Sequence, residues 1–208
     1  MVNINRVYTG GGDGGESSLV DGSRRKKSDV RFDVVGVCDE VNSWLGMVLA
    51  ELHRLPDHED GGERTNVQRV QTVLNEALVR VQNELFDLGA ELACPPATLP
   101  EYMVLLSQEQ TDVLMAEMDA WLASLPPLTS FILPAGSPPV ANMQVTRTVV
   151  RRLERAIVRL VDHEGEDAVR PLVLVYVNRL SDWFFVMGRW VSMMPVSYTH
   201  LTLPTKVR

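Results

Sequence analysis

Apolar residues recur at every third or fourth position in long stretches of the chain, which is the spacing of one helix face. The first stretch starts at Phe32, and its apolar stripe comprises Val34, Cys38, Val41, Leu45, Val48, Leu49 and Leu52. The second starts near Glu63, and its stripe comprises Val67, Val70, Leu74, Leu78, Val81, Leu85, Leu88 and Leu92. A polar segment with two adjacent glycines separates the two stretches. This pattern predicts two long amphipathic helices.

Three further helices are predicted by periodicity and by their end signals. The third follows Ser107, which suits a helix N-cap. The fourth follows Ser137, has Pro138 at its first position and runs to about His163, whereas the fifth spans about Asp167 to Met194. The segment 126–139 contains five prolines and is not expected to be helical. Five helices with short connections predict an all-α fold, a five-helix up-and-down bundle.

The two ends of the chain differ from this helical domain, which we assign to residues 33–195. Residues 1–32 are polar and rich in glycine and serine, and they predict an extended N-terminal glycine-rich segment. Helical periodicity stops at Pro195, and residues 196–208 have no apolar stripe. We interpret residues 196–208 as a flexible or non-native tail.

Composition and charge narrow the function classes. Hydrophobic residues make up 45% of the chain, which is enough to form a core, and the net charge is −7. An acidic protein is not expected to bind nucleic acid or an anionic membrane broadly. Residues 1–15 contain no apolar signal-peptide region and no apolar run is long enough to span a bilayer, so a cytoplasmic protein is expected.

Cysteine and histidine offer no metal or nucleophile pattern. Cys38 and Cys94 have no ligand spacing and are expected to be reduced, buried thiols. The four histidines show no spacing typical of a zinc site or of a Ser-His-Asp triad. No protein metal site is therefore predicted.

Four polar stretches are candidates for chemistry. The first, "YTGGGDGGESS", starts at Tyr8, and its glycines would let backbone N–H groups approach a phosphate, with Lys27 nearby to add charge. It matches neither of the common phosphate-binding glycine motifs, so a flexible leader is the alternative. The second, "TRTVVRRLERAIVR", carries Arg147, Arg151, Arg155 and Arg159 at four-residue spacing on the fourth helix. Such arginines bind polyphosphates or simply form a solvated helix face.

The other two stretches lie on the first and fifth helices. In "CDEVNS", Asp39 and Asn42 form a polar seam beside the apolar face. In "YVNRLSDWFF", the polar group that begins at Asn178 precedes Phe185. Each is also explained by hydrogen bonds between packed helices, because buried polar groups need partners.

Five motifs in one order give a resemblance to a known family. "VYTGGGDGGESSL", "GVCDEVNSWLG", "SFILPAGS", "TRTVVRRLER" and "YVNRLSDWFF" cover the chain from about residue 5 to residue 190. This arrangement resembles the trimeric ATP:cob(I)alamin adenosyltransferases of the propanediol-utilisation type.

The resemblance implies an enzyme that transfers the 5′-deoxyadenosyl group of ATP to the cobalt of a reduced corrinoid. The products would be adenosylcobalamin and tripolyphosphate, and Mg²⁺ would accompany the ATP. It also implies a homotrimer with active sites at subunit interfaces, in which residues 1–32 act as a nucleotide-binding segment. A reductase and an adenosylcobalamin-dependent enzyme are candidate partners.

The same resemblance assigns roles to individual residues. Arg151 would contact the phosphates, and Arg147 would pair with Asp39 to order the interface. Phe131 and Phe185 would form an apolar wall that displaces the lower axial ligand of cobalt. The nucleotide would be bound by Arg147, Arg151, Tyr8, Thr9, Gly11, Gly12, Asp13, Gly14, Ser17, Ser18, Lys27, Glu154 and Asn178.

Three positions depart from the family pattern. Gly10 stands where a basic residue is common, Ala135 where glycine is usual, and Leu153 where a small residue is usual. These departures leave open a second hypothesis. In it, the protein is a catalytically weakened family member that binds ATP or delivers the corrinoid as a regulatory or chaperone-like protein. A plain helical interaction module is a third hypothesis.

Overall fold

The structure, a computed structural model, describes Tyr8, residues 10–55 and residues 63–194, with the backbone alone for residues 63–66. These ranges contain five α-helices: α1 Val30–His53, α2 Glu63–Leu92, α3 Gln108–Leu122, α4 Pro138–Glu164 and α5 Pro171–Met193. The predicted all-α, five-helix fold is confirmed. None of these helices combines the length and apolar character needed to cross a bilayer. The tail 196–208 lies outside the described residues.

The helix boundaries follow local capping chemistry. The N-terminal end of α1 lies at Val30 rather than at Phe32, because the carboxylate of Asp29 accepts a hydrogen bond from the Arg31 backbone N–H at 2.9 Å. Ser107 forms the predicted N-terminal cap of α3, in a capping box with Gln110. Pro138 begins α4 as predicted.

The predicted start of α5 at Asp167 is wrong. Residues Glu166–Ala168 form a short 3-10 turn, and α5 begins at Pro171 with Arg170 as its N-cap. Proline at the first position of a helix has its φ preset and has no N–H to leave unpaired. The apolar pattern of the fifth stretch therefore starts a few residues before α5 itself begins.

The N-terminal segment contains a hairpin that the sequence did not predict. Strands β1 Glu16–Ser18 and β2 Arg24–Lys26 pair antiparallel, with Ser17 opposite Arg25. In the turn, the Asp21 carboxylate accepts a hydrogen bond from the Ser23 backbone N–H at 2.9 Å, and Gly22 has a φ of 81°. Such short strands leave little alternating pattern in a sequence.

The predicted apolar stripes form the core. Helix α1 packs against α2 and α4, α4 also packs against α5, and α5 packs against α3. The predicted stripe residues of α1 and α2 are buried, except that Leu49 is half-buried. Burying a large apolar side chain stabilises the fold by about 1.5–3 kcal/mol. Helix α4 thereby lies between α1 and α5, and Leu153, the departure from the family pattern, is a fully buried core residue.

A partly buried polar network joins α2, α3 and α5. The Tyr176 hydroxyl donates to Glu84 at 2.6 Å, and Arg80 donates to Glu84 at 2.6 Å and to Glu117 at 2.8 Å. The Trp183 indole N–H also donates to Glu117, at 2.7 Å. Burial, followed by the nearby Glu84 charge, raises the pKa of Tyr176 well above its usual value. Each buried charge has a partner, so the network fixes how the three helices meet.

Candidate functional site

A cleft of about 620 Å³ lies between α4, α5 and the loop that joins α3 to α4. It brings together four of the predicted catalytic residues, namely Phe131, Arg147, Arg151 and Phe185. The remaining lining residues are Leu128, Ser130, Ile132, Ser181 and Asp182. The cleft therefore combines an apolar wall with a cationic wall.

The apolar wall comes from the α3–α4 loop and from α5. Phe131 is fully exposed on the loop, whereas Phe185 is half-buried and packs against the core. The guanidinium of Arg189 on α5 donates to the Pro126 carbonyl at 2.6 Å, which ties the start of the loop to the bundle. An exposed aromatic ring on an anchored loop is suited to contact a large apolar ligand face.

The cationic wall consists of Arg147 and Arg151, one turn apart on α4. Arg147 Nε donates to Gln144 Oε1 at 3.0 Å, and its guanidinium carbon lies 5.9 Å from the centroid of the Phe185 ring. Burial, together with the neighbouring Arg151 charge, lowers the pKa of Arg147. The Arg151 side chain is exposed and forms no ion pair with any described residue. Two like charges on one wall favour an anionic ligand.

Glu154 and Asn178 extend the site along α4 and α5. The Asn178 amide donates to Glu154 Oε1 at 2.8 Å. Glu154 lies three positions beyond Arg151, and Asn178 lies four positions before Asp182, so each is a helix-face neighbour of a cleft residue. The two predicted nucleotide residues are therefore adjacent to the cleft.

Asp39 is exposed on α1 and does not line the cleft. Its sequence neighbour Glu40 forms an ion pair with Arg152 of α4 instead. Within the ranges that the structure covers, Asp39 forms no ion pair with Arg147. That pair is therefore absent from a single protomer, and it stays a prediction for a contact between two copies.

The glycine-rich loop is a series of tight turns. The Asp13 N–H donates to the Gly10 carbonyl at 3.2 Å, and the Gly15 N–H donates to the Gly12 carbonyl at 3.2 Å. Gly10 has a φ of 71°, which favours glycine and gives a structural reason for its presence at this position. A Cβ on Gly12 would lie 2.9 Å from Lys27 Nζ, so the Lys27 ammonium lies directly against this loop.

The other predicted loop residues are also near the hairpin. The Gly11 carbonyl accepts a hydrogen bond from Arg24 at 2.8 Å, and Ser17 and Ser18 belong to β1. Gly14 and Asp13 are exposed, as is Tyr8. Thr9 lies outside the described residues.

A single chain does not bring the glycine-rich loop to the cleft. Arg25 of the hairpin contacts Glu164 at the C-terminal end of α4. Arg151 lies on the same helix, and a rise of about 1.5 Å per residue separates it from Glu164 by about 20 Å along the axis. The predicted nucleotide residues therefore form two groups in the protomer.

Some lining residues were not predicted as site residues. Leu128, Ser130 and Ile132 lie in a proline-rich loop that has no periodicity, and only their closeness to Phe131 could have indicated them. Ser181 and Asp182 were noted as polar interruptions of α5, without an assigned role.

Comparisons with known proteins agree with the resemblance. The family model for cobalamin adenosyltransferase matches residues 7–191. The corrinoid adenosyltransferase of Mycobacterium tuberculosis is 40% identical over 189 residues, covering 90% of this chain and 89% of that protein. The Bacillus subtilis corrinoid adenosyltransferase is 37% identical over 187 residues, covering 90% of this chain and 86% of that protein.

A solved structure has the same fold. A variant of the PduO-type ATP:corrinoid adenosyltransferase from Lactobacillus reuteri, complexed with cobalamin and ATP, superposes with a TM-score of 0.76 at 29% identity. The similarity covers 91% of this chain and 94% of that chain. With the family model spanning the helical bundle and both groups of predicted nucleotide residues, the chain belongs to the cobalamin adenosyltransferase family.

Proposed function

We propose that this protein transfers the 5′-deoxyadenosyl group of ATP to the cobalt of a reduced corrinoid. The observation that carries the proposal is the cleft, where Arg147 and Arg151 face the same space as Phe131 and Phe185. One wall suits a polyphosphate and the other suits the face of a large ring system. Adenosyl transfer requires both kinds of ligand at one site.

The chemistry needs no nucleophilic side chain. Cobalt(I) donates an electron pair to C5′ of ATP, the Co–C bond forms as the C5′–O bond breaks, and that bond's electron pair leaves with tripolyphosphate. The protein's task is to align the reactants and to stabilise the negative charge of the leaving group. Arg151 serves this task directly, since its guanidinium is exposed at the cleft. Arg147 is held beside it by Gln144 and Phe185.

The two phenylalanines control which ligands reach the lower axial position of cobalt. Cobalt(II) is difficult to reduce while a lower axial ligand is bound, and an apolar wall displaces that ligand and excludes water. Phe131 supplies an exposed ring for this wall, and Phe185 supplies a ring fixed by core packing.

The nucleotide contacts come from two groups of residues. Glu154 and Asn178 bind the nucleoside portion beside the cleft, where they already share a hydrogen bond of 2.8 Å. The residues from Tyr8 to Ser18 wrap the triphosphate with backbone N–H groups, and Lys27 adds a positive charge. The described residues contain no cluster of three metal-binding side chains. Mg²⁺ would arrive with ATP and would take most of its ligands from phosphate and water.

The separation of these two groups supports a homotrimer with sites between subunits. The loop of one protomer would meet Arg151 of its neighbour, and Asp39 would pair with Arg147 across the same interface. We further propose a cytoplasmic location, with a reductase and an adenosylcobalamin-dependent enzyme as partners.

The test is a direct assay of transfer. The protein is incubated with ATP, Mg²⁺ and chemically reduced cobalamin, and the absorbance change that accompanies Co–C bond formation is followed against a reaction without ATP. ATP-dependent formation of adenosylcobalamin supports the proposal. ATP binding without turnover would favour a regulatory or chaperone-like protein, and absence of both would favour a helical interaction module.

A further inference from the structure

A fully buried arginine lies at the start of α1. Arg31 has no exposed surface, and its guanidinium donates to the Leu92 carbonyl at 3.0 Å and to the Ala168 carbonyl at 3.1 Å. It also donates to the Glu164 carboxylate. Arg31 therefore joins the C-terminal ends of α2 and α4 to the turn that precedes α5, and Glu164 is its charge partner.

The second oxygen of Glu164 is directed towards the hairpin. Glu164 Oε1 accepts a hydrogen bond from Arg25 of β2 at 2.6 Å, whereas the other carboxylate near Arg25, that of Asp29, lies at 3.4 Å. Side chains alternate between the faces of a strand, so Arg24 points away from Arg25. Arg24 Nη2 donates to the Gly11 carbonyl at 2.8 Å. Strand β2 therefore contacts the helical bundle through Arg25 and the glycine-rich loop through Arg24.

The rest of the hairpin is held at its turn. The Val20 N–H donates to the Ala93 carbonyl beyond α2 at 3.1 Å. At the open end, the Lys27 N–H donates to the Gly15 carbonyl at 2.8 Å. Because Lys27 directly follows β2, the strand's orientation also determines where the Lys27 ammonium lies.

We propose that Glu164, through Arg25, positions the β1–β2 hairpin so that Arg24 and Lys27 preorder the glycine-rich loop for a triphosphate. The inference rests on the proposed function, because it takes this loop as the triphosphate site. Arg24, Arg25 and Glu164 are positioning residues that act through the loop. Five of the six residues from position 10 to position 15 are glycine. Glycine loses the most conformational freedom on ordering, so an anchored hairpin lowers the entropy cost of binding.

The main test is Arg25→Ala, which removes the anchor and leaves the Arg31–Glu164 pair intact. We expect a KM for ATP raised about tenfold, with kcat and the KM for the corrinoid unchanged and only a small decrease in the melting temperature from the lost ion pair. Arg25→Lys is expected to restore much of the ATP affinity, because an ammonium group can still bond to Glu164. Arg54→Ala is the control, since Arg54 forms an ion pair with Glu51 at 2.8 Å and its side chain is 75% exposed.

A second readout does not depend on turnover. Amide hydrogen exchange in residues 10–18 of the ATP-free protein is expected to speed up in Arg25→Ala, whereas exchange in the five helices stays unchanged. If the wild-type protein failed to transfer the adenosyl group, the proposed function would fail, and this exchange measurement would still decide the positioning role. Unchanged exchange in Arg25→Ala would overturn the inference.

A double-mutant comparison tests whether Arg25 acts through Glu164. If Arg25 acts through Glu164, Arg25→Ala raises the KM for ATP in the wild-type background and adds nothing in a Glu164→Gln background. A full additional increase in the Glu164→Gln background would mean that Arg25 contacts the triphosphate itself, and the inference would be wrong. If Glu164→Gln does not fold, hydrogen exchange in ATP-free Arg25→Ala decides the question, because a direct contact with the triphosphate would leave that exchange unchanged.

Discussion

Arg147 and Arg151 share one wall of the cleft but differ in their local environment. Arg147 is half-buried, bonded to Gln144 and stacked near the Phe185 ring. Arg151 is exposed, and its guanidinium has no ion-pair partner among the described residues. Arg147 is therefore held in place by its own chain, whereas Arg151 would be available to neutralise a phosphate group under the proposed function.

Arg151→Ala is expected to lower kcat/KM for ATP by about 10²–10³-fold, as is typical when one transition-state donor is lost. The fold is expected to remain, because the Arg151 side chain is exposed on α4. Steady-state kinetics with chemically reduced cobalamin measure the effect. Arg159→Ala is a matched control, since Arg159 is exposed on the same helix and does not line the cleft. Equal kinetics for Arg151→Ala and wild type would contradict the phosphate role.

Phe131→Ala is expected to slow the reaction that starts from cobalt(II) more than the reaction that starts from prereduced cobalt(I). The physical reason is that a lost ring lets water or the lower axial ligand reach the metal, which hinders reduction. Leu133→Ala is the control, since Leu133 lies in the same loop and is exposed but does not line the cleft. Losses of equal size from both starting states would argue that Phe131 only packs against the corrinoid.

At the residue scale, the family resemblance predicted four side chains that the fold brings together from two helices and one loop. Arg147, Arg151, Phe131 and Phe185 were predicted and share the cleft. The Glu164–Arg31 contact was not predicted, because it joins positions far apart in the chain and neither belongs to a recognised motif. Contacts of that kind depend on how the helices pack, which a local pattern does not encode.

Two helices that carry the site approach each other closely at Gly188. A Cβ at this position of α5 would lie 3.3 Å from Gln144 Nε2 and 3.9 Å from Met143 Cβ, both on α4. Gln144 is also the residue that accepts the hydrogen bond from Arg147. The spacing of α4 and α5 is therefore coupled to the position of Arg147 above Phe185.

Gly188→Val is expected to lower the free energy of unfolding by about 1–3 kcal/mol, because the added side chain overpacks the α4–α5 contact. It is also expected to lower activity, since the displaced Gln144 no longer holds Arg147. Urea unfolding and steady-state kinetics measure the two effects. Gly89→Ala on α2 is the comparison, because its Cβ would meet Cys38 Sγ at an ordinary 3.9 Å. Wild-type stability and activity in Gly188→Val would contradict the coupling.

Because of Glu164, the stability of this end of the helical bundle is expected to depend on pH in the acid range. Burial alone would raise the pKa of Glu164, but hydrogen bonds from Arg31 and Arg25 outweigh it, so the pKa lies below its usual value. A carboxylate with a lowered folded-state pKa stabilises the protein above its unfolded pKa of about 4.3. That stabilisation is lost as the pH falls through the folded-state pKa.

We therefore expect the stability difference between wild type and Glu164→Gln to be largest near neutral pH and to shrink below about pH 4.3. Urea unfolding of both proteins across this pH range measures it. A difference that stayed constant from neutral to acid pH would show that the charge of Glu164 does not stabilise the bundle end.

At the element scale, long helices were predicted well and short elements were not. The stripes of α1 and α2 span many turns, so their period is unambiguous and their residues are buried as expected. The hairpin has two strands of three residues, and the 3-10 turn before α5 has three residues. Such elements depend on single capping and turn contacts, for which sequence periodicity gives no signal.

At the scale of the whole molecule, the two groups of predicted nucleotide residues remain apart within one chain. The hairpin is fixed at the C-terminal end of α4 by Arg25 and Glu164, whereas Arg151 lies nearer the middle of that helix. The sequence indicated both groups through separate motifs, but it contained no information on their distance. Under the proposed function, an arrangement of several copies would join them into one site.

Mixing two inactive variants tests that arrangement. Lys27→Ala impairs the loop and Arg151→Ala impairs the cleft, so each variant alone is expected to have low activity. If the loop of one subunit meets the cleft of its neighbour, co-expressed subunits recover activity, because some interfaces combine an intact loop with an intact cleft. Each variant alone is the control, and sedimentation is expected to give three times the 23.2 kDa chain mass. A monomer in solution, or mixed oligomers without recovered activity, would contradict the trimeric arrangement.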